Sequence, residues 1–212
     1  MHKILSLLSV CIITSCSLTA QEGTGNYSLD FTVNPAALFD ANAGSMFYMP
    51  SIKARYFISP DLAFRLGLGM NFNSSKDYDD TTGDDYDKYT SIYLRLSPGI
   101  EKQFGTEKFR GYVGADLPLS LITAKRQVST DGTETNSKNP YGEGYVGIGA
   151  NAVFGFDYYL FANVYVGAEF SPGLMFRKYS DTEDNDVVTD KGGTSFNFSL
   201  DSSSGIRLGI RF

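Results

Sequence analysis

Apolar and polar residues alternate with a period of two along eight stretches of the chain, and the 3.6-residue period of an amphipathic helix is missing. The clearest stretch sets Leu62, Phe64, Leu66, Leu68, Met70 and Phe72 against Ala63, Arg65, Gly67, Gly69 and Asn71. Another sets Ile92, Leu94, Leu96 and Ile100 against Tyr93, Arg95, Ser97, Gly99 and Glu101. The remaining six begin at Tyr27, Ser51, Phe109, Tyr145, Val164 and Phe196, the last running to Phe212. In a strand, such alternation gives each residue class its own face. The runs are long enough to cross a bilayer as tilted strands. No stretch after the amino-terminal segment reaches about 18 consecutive apolar residues, so no helical span is expected.

The connections differ in length. Ser59–Asp61, Gln103–Glu107 and Asp157–Tyr159 read as short turns, and Pro35–Ser45, Ser74–Lys88, Thr123–Gly142 and Lys178–Gly193 as long loops. Short turns at one end and long loops at the other is the plan of an outer-membrane barrel, with both termini on the short-turn side. Lipid cannot satisfy an open sheet edge, so the strands must close. The sequence therefore predicts an all-β fold: an eight-stranded antiparallel up-and-down transmembrane β-barrel preceded by a signal peptide.

A lipocalin also alternates over eight strands. The makeup of the polar face separates the two. It holds Gly, Asn, Ser, Tyr, Arg and Asp, whereas most lysines fall in turns and loops. A narrow lumen needs that mixture; a water-facing surface would carry Lys and Glu. Tyr27, Tyr56, Phe72, Phe109, Phe156 and Phe176 fall near strand ends, where aromatic girdles form.

The inward face carries Lys53, Arg55, Arg65, Arg95, Arg110, Arg177, Arg207 and Arg211 against Asp30, Glu101, Asp116, Glu169 and Asp201. Buried charges must pair. Arg95, Asp116, Glu101, Arg110, Glu169, Arg65, Asp201 and Arg207 form the expected salt-bridge network. A turn at Phe104–Glu107 would set Arg95 opposite Asp116, Glu101 opposite Arg110 and Gly99 beside Tyr112. Tyr93, Tyr112, Tyr145 and Tyr165 read as lumen packing with bonded hydroxyls.

Residues 1–20, MHKILSLLSVCIITSCSLTA, have a basic start, an apolar run and a small-residue end, the order of a secretory signal. Residues 21–212 form the barrel domain. The rival reading uses Ile13-Thr14-Ser15-Cys16 as a lipobox, with Cys16 lipidated. Cleavage after Ala20 removes Lys3 and takes the formal charge from −6 to −7, which argues against nucleic acid. It also removes His2, Cys11 and Cys16, and with them Ser-His and Cys-His catalysis, His-ligated metal and disulfides. Asp77, Asp79, Asp84, Asp184 and Asp186 make a candidate weak divalent-cation loop, though the EF-hand pattern fails because Gly83 is misplaced and no Glu closes it. Gly67-Leu68-Gly69 and Gly147-Ile148-Gly149 sit mid-strand and are not phosphate loops.

The terminal run Gly205–Phe212 resembles the closing strand of bacterial outer-membrane proteins. Ser97–Phe104 and Leu66–Gly69 are similar to the porin-like outer membrane β-barrel domain of Bacteroidota, of the OmpX and OmpA transmembrane-domain type. The resemblance covers residues from about 25 to 212. It implies that Phe212, Ile210 and Leu208 form the signal read by the barrel assembly machinery, and it supplies no catalytic residue. The resulting expectation is a non-enzymatic, multi-pass outer-membrane protein with periplasmic termini, no cofactor and no metal. Its lumen would be filled and its acidic extracellular loops would serve a structural or interaction role, among lipid and lipopolysaccharide. A small anion-leaning pore and a soluble lipocalin-like binder are the alternatives.

Overall fold

The computed structural model describes residues 26–33, 51–78, 85–106, 108–130, 132–200 and 204–212. The proposed signal peptide and Cys16 lie outside them. Among the described residues fourteen strands follow in order: β1 Tyr27–Val33, β2 Ser51–Ser59, β3 Leu62–Tyr78, β4 Tyr86–Gly105, β5 Phe109–Asp116, β6 Leu119–Thr130 and β7 Thr133–Lys138. Then come β8 Tyr145–Tyr159, β9 Val164–Phe170, β10 Gly173–Tyr179, β11 Thr182–Asp184, β12 Val187–Asp190, β13 Thr194–Ser199 and β14 Gly205–Arg211.

The fourteen strands make eight staves. β5 and β6 form one stave, because their register against β4 and β8 continues unchanged across Leu117-Pro118. β9 and β10 join in the same way across Ser171-Pro172 against β8. A proline has no N–H for the ladder, so each stave reads as two strands, yet its carbonyl still accepts. Gly149 N–H donates to Pro118 O and Ala152 N–H to Pro172 O, each at 2.9 Å. β13 and β14 complete the eighth stave. All neighbours are antiparallel, and β14 pairs with β1 to seal the ring. At the seam Tyr27 and Phe212 exchange backbone hydrogen bonds of 3.0 and 2.9 Å.

Polarity is inverted relative to a water-soluble protein. Arg55, Arg65, Glu101, Asp157, Glu169 and Arg207 are buried inside, whereas Phe64, Leu66, Leu68, Met70 and Phe72 are exposed outside. This overturns the lipocalin-like arrangement, whose apolar face would point inward. Tyr27 lies 5.1 Å from Tyr56 and 6.3 Å from Phe212, ring to ring, and Phe109 stacks on Phe156 at 5.4 Å. These rings gird the short-turn end.

The expected long loops are corrected. Much of 74–88, 123–142 and 178–193 is strand: β3 and β4 stay paired from Leu62–Lys102 up to Tyr78–Tyr86. β6 pairs on to β7, β7 to β11 and β11 to β12, extending the sheet beyond the barrel wall. β7 and β11 are polar on both faces, so the alternation that marks a strand in sequence fades while the backbone ladder continues.

Candidate functional site

Inward side chains of all eight staves meet on the barrel axis and form one charged belt. Arg55 Nη1, from β2, donates to Glu101 Oε1 of β4 and to Asp157 Oδ2 of β8, each at 2.9 Å. Its Nε donates to Ser28 Oγ at 2.9 Å. Arg65 of β3 bonds Glu101 Oε2 at 3.0 Å and both oxygens of Glu169 at 2.9 Å. Its Nε also lies 2.9 Å from Asp116 Oδ1, an ion pair out of line for a hydrogen bond. Arg207 of β14 reaches Glu169 Oε2 and Asp157 Oδ1, each at 2.8 Å. Lys53 Nζ donates to Glu169 Oε1 at 2.6 Å.

Two tyrosines complete the belt. Tyr112 donates to Glu169 Oε2 at 3.0 Å and accepts from Arg207, and Tyr165 donates to Asp30 Oδ2 at 3.0 Å. Both rings need space that a side chain opposite would take. A Cβ on Gly155 would collide with Tyr112, and one on Gly209 with the Tyr165 ring. The side chains of Arg55, Arg65, Arg207, Asp30, Glu101, Asp157 and Glu169 have no solvent exposure at all. In that low-dielectric setting every charge depends on its partners.

A family model described as "Putative OmpA-OmpF-like porin family" matches residues 37–212. The chain belongs to that family. Membership in this porin family puts the protein in the outer membrane, in agreement with the inverted polarity. The solution NMR structure of the E. coli outer membrane protein W aligns at 16% identity over 91% of this chain and 100% of that one, with a TM-score of 0.39. No curated protein matches.

Among the expected network residues of this porin-family barrel, Arg65, Glu101, Asp116, Glu169 and Arg207 come together in the belt. Arg95 and Arg110 do not. The expected β4–β5 register is corrected: Arg95 stands opposite Ser120, Asp116 opposite Gly99 and Arg110 opposite Gly105. β4 runs on to Gly105, whose φ of 119° opens the turn later than expected. The displacement is an even number of residues, so every side chain keeps its face while the partners change. Gly155, not Gly99, stands opposite Tyr112. Arg110 sits at the short-turn rim, with its guanidinium 5.9 Å from the Tyr159 ring. Asp201 lies outside the described residues.

The sequence pattern puts Asp157 in a short turn, which the structure corrects. It lies within β8 and is fully buried. Its inward parity with Tyr145, Gly147 and Asn151 was the signal available.

Above the belt, toward the long-loop end, a cavity of about 280 Å³ is lined by Arg95, Arg177, Ser120, Tyr93, Tyr145 and Asn197 among others, with no carboxylate among its lining residues. Arg177 lies over the Tyr145 ring at 5.2 Å, and its Nε has no hydrogen-bond partner among the described residues.

Of the candidate divalent-cation residues, Asp79 and Asp84 lie outside the described residues. Among the described ones, no three His, Cys, Asp or Glu side chains come together as metal ligands. Asp186 is held by Lys138 at 2.7 Å, and this bond keeps its carboxyl below the usual range. Asp186, and then Glu183 at 2.9 Å, hold the Lys138 ammonium above its own usual value.

Proposed function

We propose that this outer-membrane β-barrel is a plugged scaffold, not an enzyme, and that its working surfaces are the strands and loops of its long-loop end, facing the cell exterior. The observation that carries this is the belt, in which guanidinium and carboxylate groups from opposite walls close the lumen without solvent exposure. In this reading the termini are periplasmic, residues 1–20 are removed on export, and Phe212, Ile210 and Leu208 are read by the assembly machinery. No cofactor and no nucleic acid is involved. Lipid and lipopolysaccharide surround the barrel.

Planar-bilayer recording of the folded protein tests it. Wild type is expected to show no discrete conductance steps, while Glu169→Ala opens the belt and produces them. Regular wild-type openings would overturn the plug. The anion-leaning pore is the second reading, favoured by the cavity that Arg95 and Arg177 line. In that case openings would reverse at potentials set by the anion gradient.

A further inference from the structure

The sheet that rises above the barrel sorts its charges by face. On β3 and β4, Lys76 stands directly opposite Lys88, and in the next pair Asp77 stands opposite Asp87. Successive residues of a strand point to opposite sides. The lysines share the parity of Phe72 and Ile92, which face outward over the lipid; the aspartates share that of the lumen residues. The same holds one strand further on. Lys125 of β6 stands opposite Lys138 of β7, and Thr90 of β4 stands opposite Lys125 on its other side. Lys88 faces Gln127, two residues from Lys125. Four lysines on four neighbouring strands thus share one outward patch, one or two tiers above the last apolar pair, Phe72 and Ile92.

Like charges directly across a ladder are destabilising unless something neutralises them. Lys138 has Glu183 and Asp186. Lys76 is held over the Tyr78 and Tyr86 rings at 4.6 and 3.8 Å. The outward Glu134 is engaged by Tyr86 at 3.0 Å and Gln127 at 3.3 Å. Lys88 and Lys125 are exposed and bond no carboxylate among the described residues. On a protein of formal charge −6, a cationic patch confined to the height where hydrocarbon gives way to headgroups has one fitting partner.

We infer that Lys88 and Lys125, flanked by Lys76 and Lys138, bind phosphate groups of the surrounding lipid surface. This rests on the outer-membrane reading above and names the lipid chemistry it engages. The occupant is phosphorylated lipid, not a protein. The sheet meets it face-on, the apolar band fixes its height, and exposed ammonium groups meet the anionic oxygens.

The test uses the full-length protein folded in zwitterionic nanodiscs, with diphosphoryl lipid A as probe and dephosphorylated lipid A as control. Binding of fluorescent lipid A is read by energy transfer. The Lys88→Gln/Lys125→Gln double variant is expected to weaken it by about tenfold or more, at roughly 1 kcal/mol per lysine near an anionic surface. Lys88→Arg/Lys125→Arg should retain it. Lys102→Gln/Lys108→Gln, at the opposite rim, should leave it unchanged. Equal binding by wild type and the Gln variant, or indifference to the phosphates, would overturn the inference. Heat-modifiable migration on gels shows in each case that the barrel has folded. A chain that inserts into no bilayer would instead bring down the outer-membrane reading itself.

Discussion

Arg207 and Arg126 each grip an aspartate, at 2.8 Å to Asp157 and 2.5 Å to Asp87. The first pair is wholly shielded, and its arginine also holds Glu169 and Tyr112. The second stands above the barrel with side chains 35% and 42% exposed. The bond chemistry is the same, but the surroundings reverse its consequence. Water and salt can replace Asp87 for Arg126, so that pair adds little. Nothing replaces Glu169 for Lys53, Arg65 and Arg207, so the belt tolerates no missing member. The belt locks the lumen, and the sheet above can vary.

The sharpest break in this contrast is Glu169→Gln. It keeps the shape and removes the charge that three cations share, and it should cost about 3–5 kcal/mol in urea unfolding of the micelle-folded barrel. A loss under about 1 kcal/mol would mean that water screens the belt. Next in size is Gly209→Ala, whose methyl would displace the Tyr165 ring from Asp30; overpacking of this kind costs about 1–3 kcal/mol in the same assay.

The smallest effect belongs to the exposed pair. A double-mutant cycle of Asp87→Ala and Arg126→Ala should give a coupling below about 1 kcal/mol that shrinks further in salt. Its pH dependence has a defined sign. The hydrogen bonds from Arg126 hold the Asp87 carboxyl below its ordinary value of 3.8. The contribution is therefore complete above that value and disappears as pH falls through the lowered one. Amide exchange on β4 and β6 should quicken only in that acid range.

How much of this was legible in the sequence varies from residue to residue. The parity of Arg65, Glu101 and Glu169 placed them inward, and the structure finds them there. Arg95 also kept its face but not its partner, because a turn closing later at Gly105 moves every pairing while leaving the alternation intact. β7, β11 and β12 left no trace in the pattern, since above the hydrocarbon band neither face of a strand has to be apolar.

By itself, the sequence determined which side chains meet hydrocarbon and which meet the axis, because alternation is a local property of a strand. It also determined the number of staves, because each crossing needs its own run. Only the tertiary structure decided who bonds whom. Lys53 on β2 reaches Glu169 on β9, and Arg55 on β2 reaches Asp157 on β8. In a barrel this narrow, long side chains from opposite walls meet at the centre before they find a neighbour along the wall. Those distances exist only once the sheet has closed.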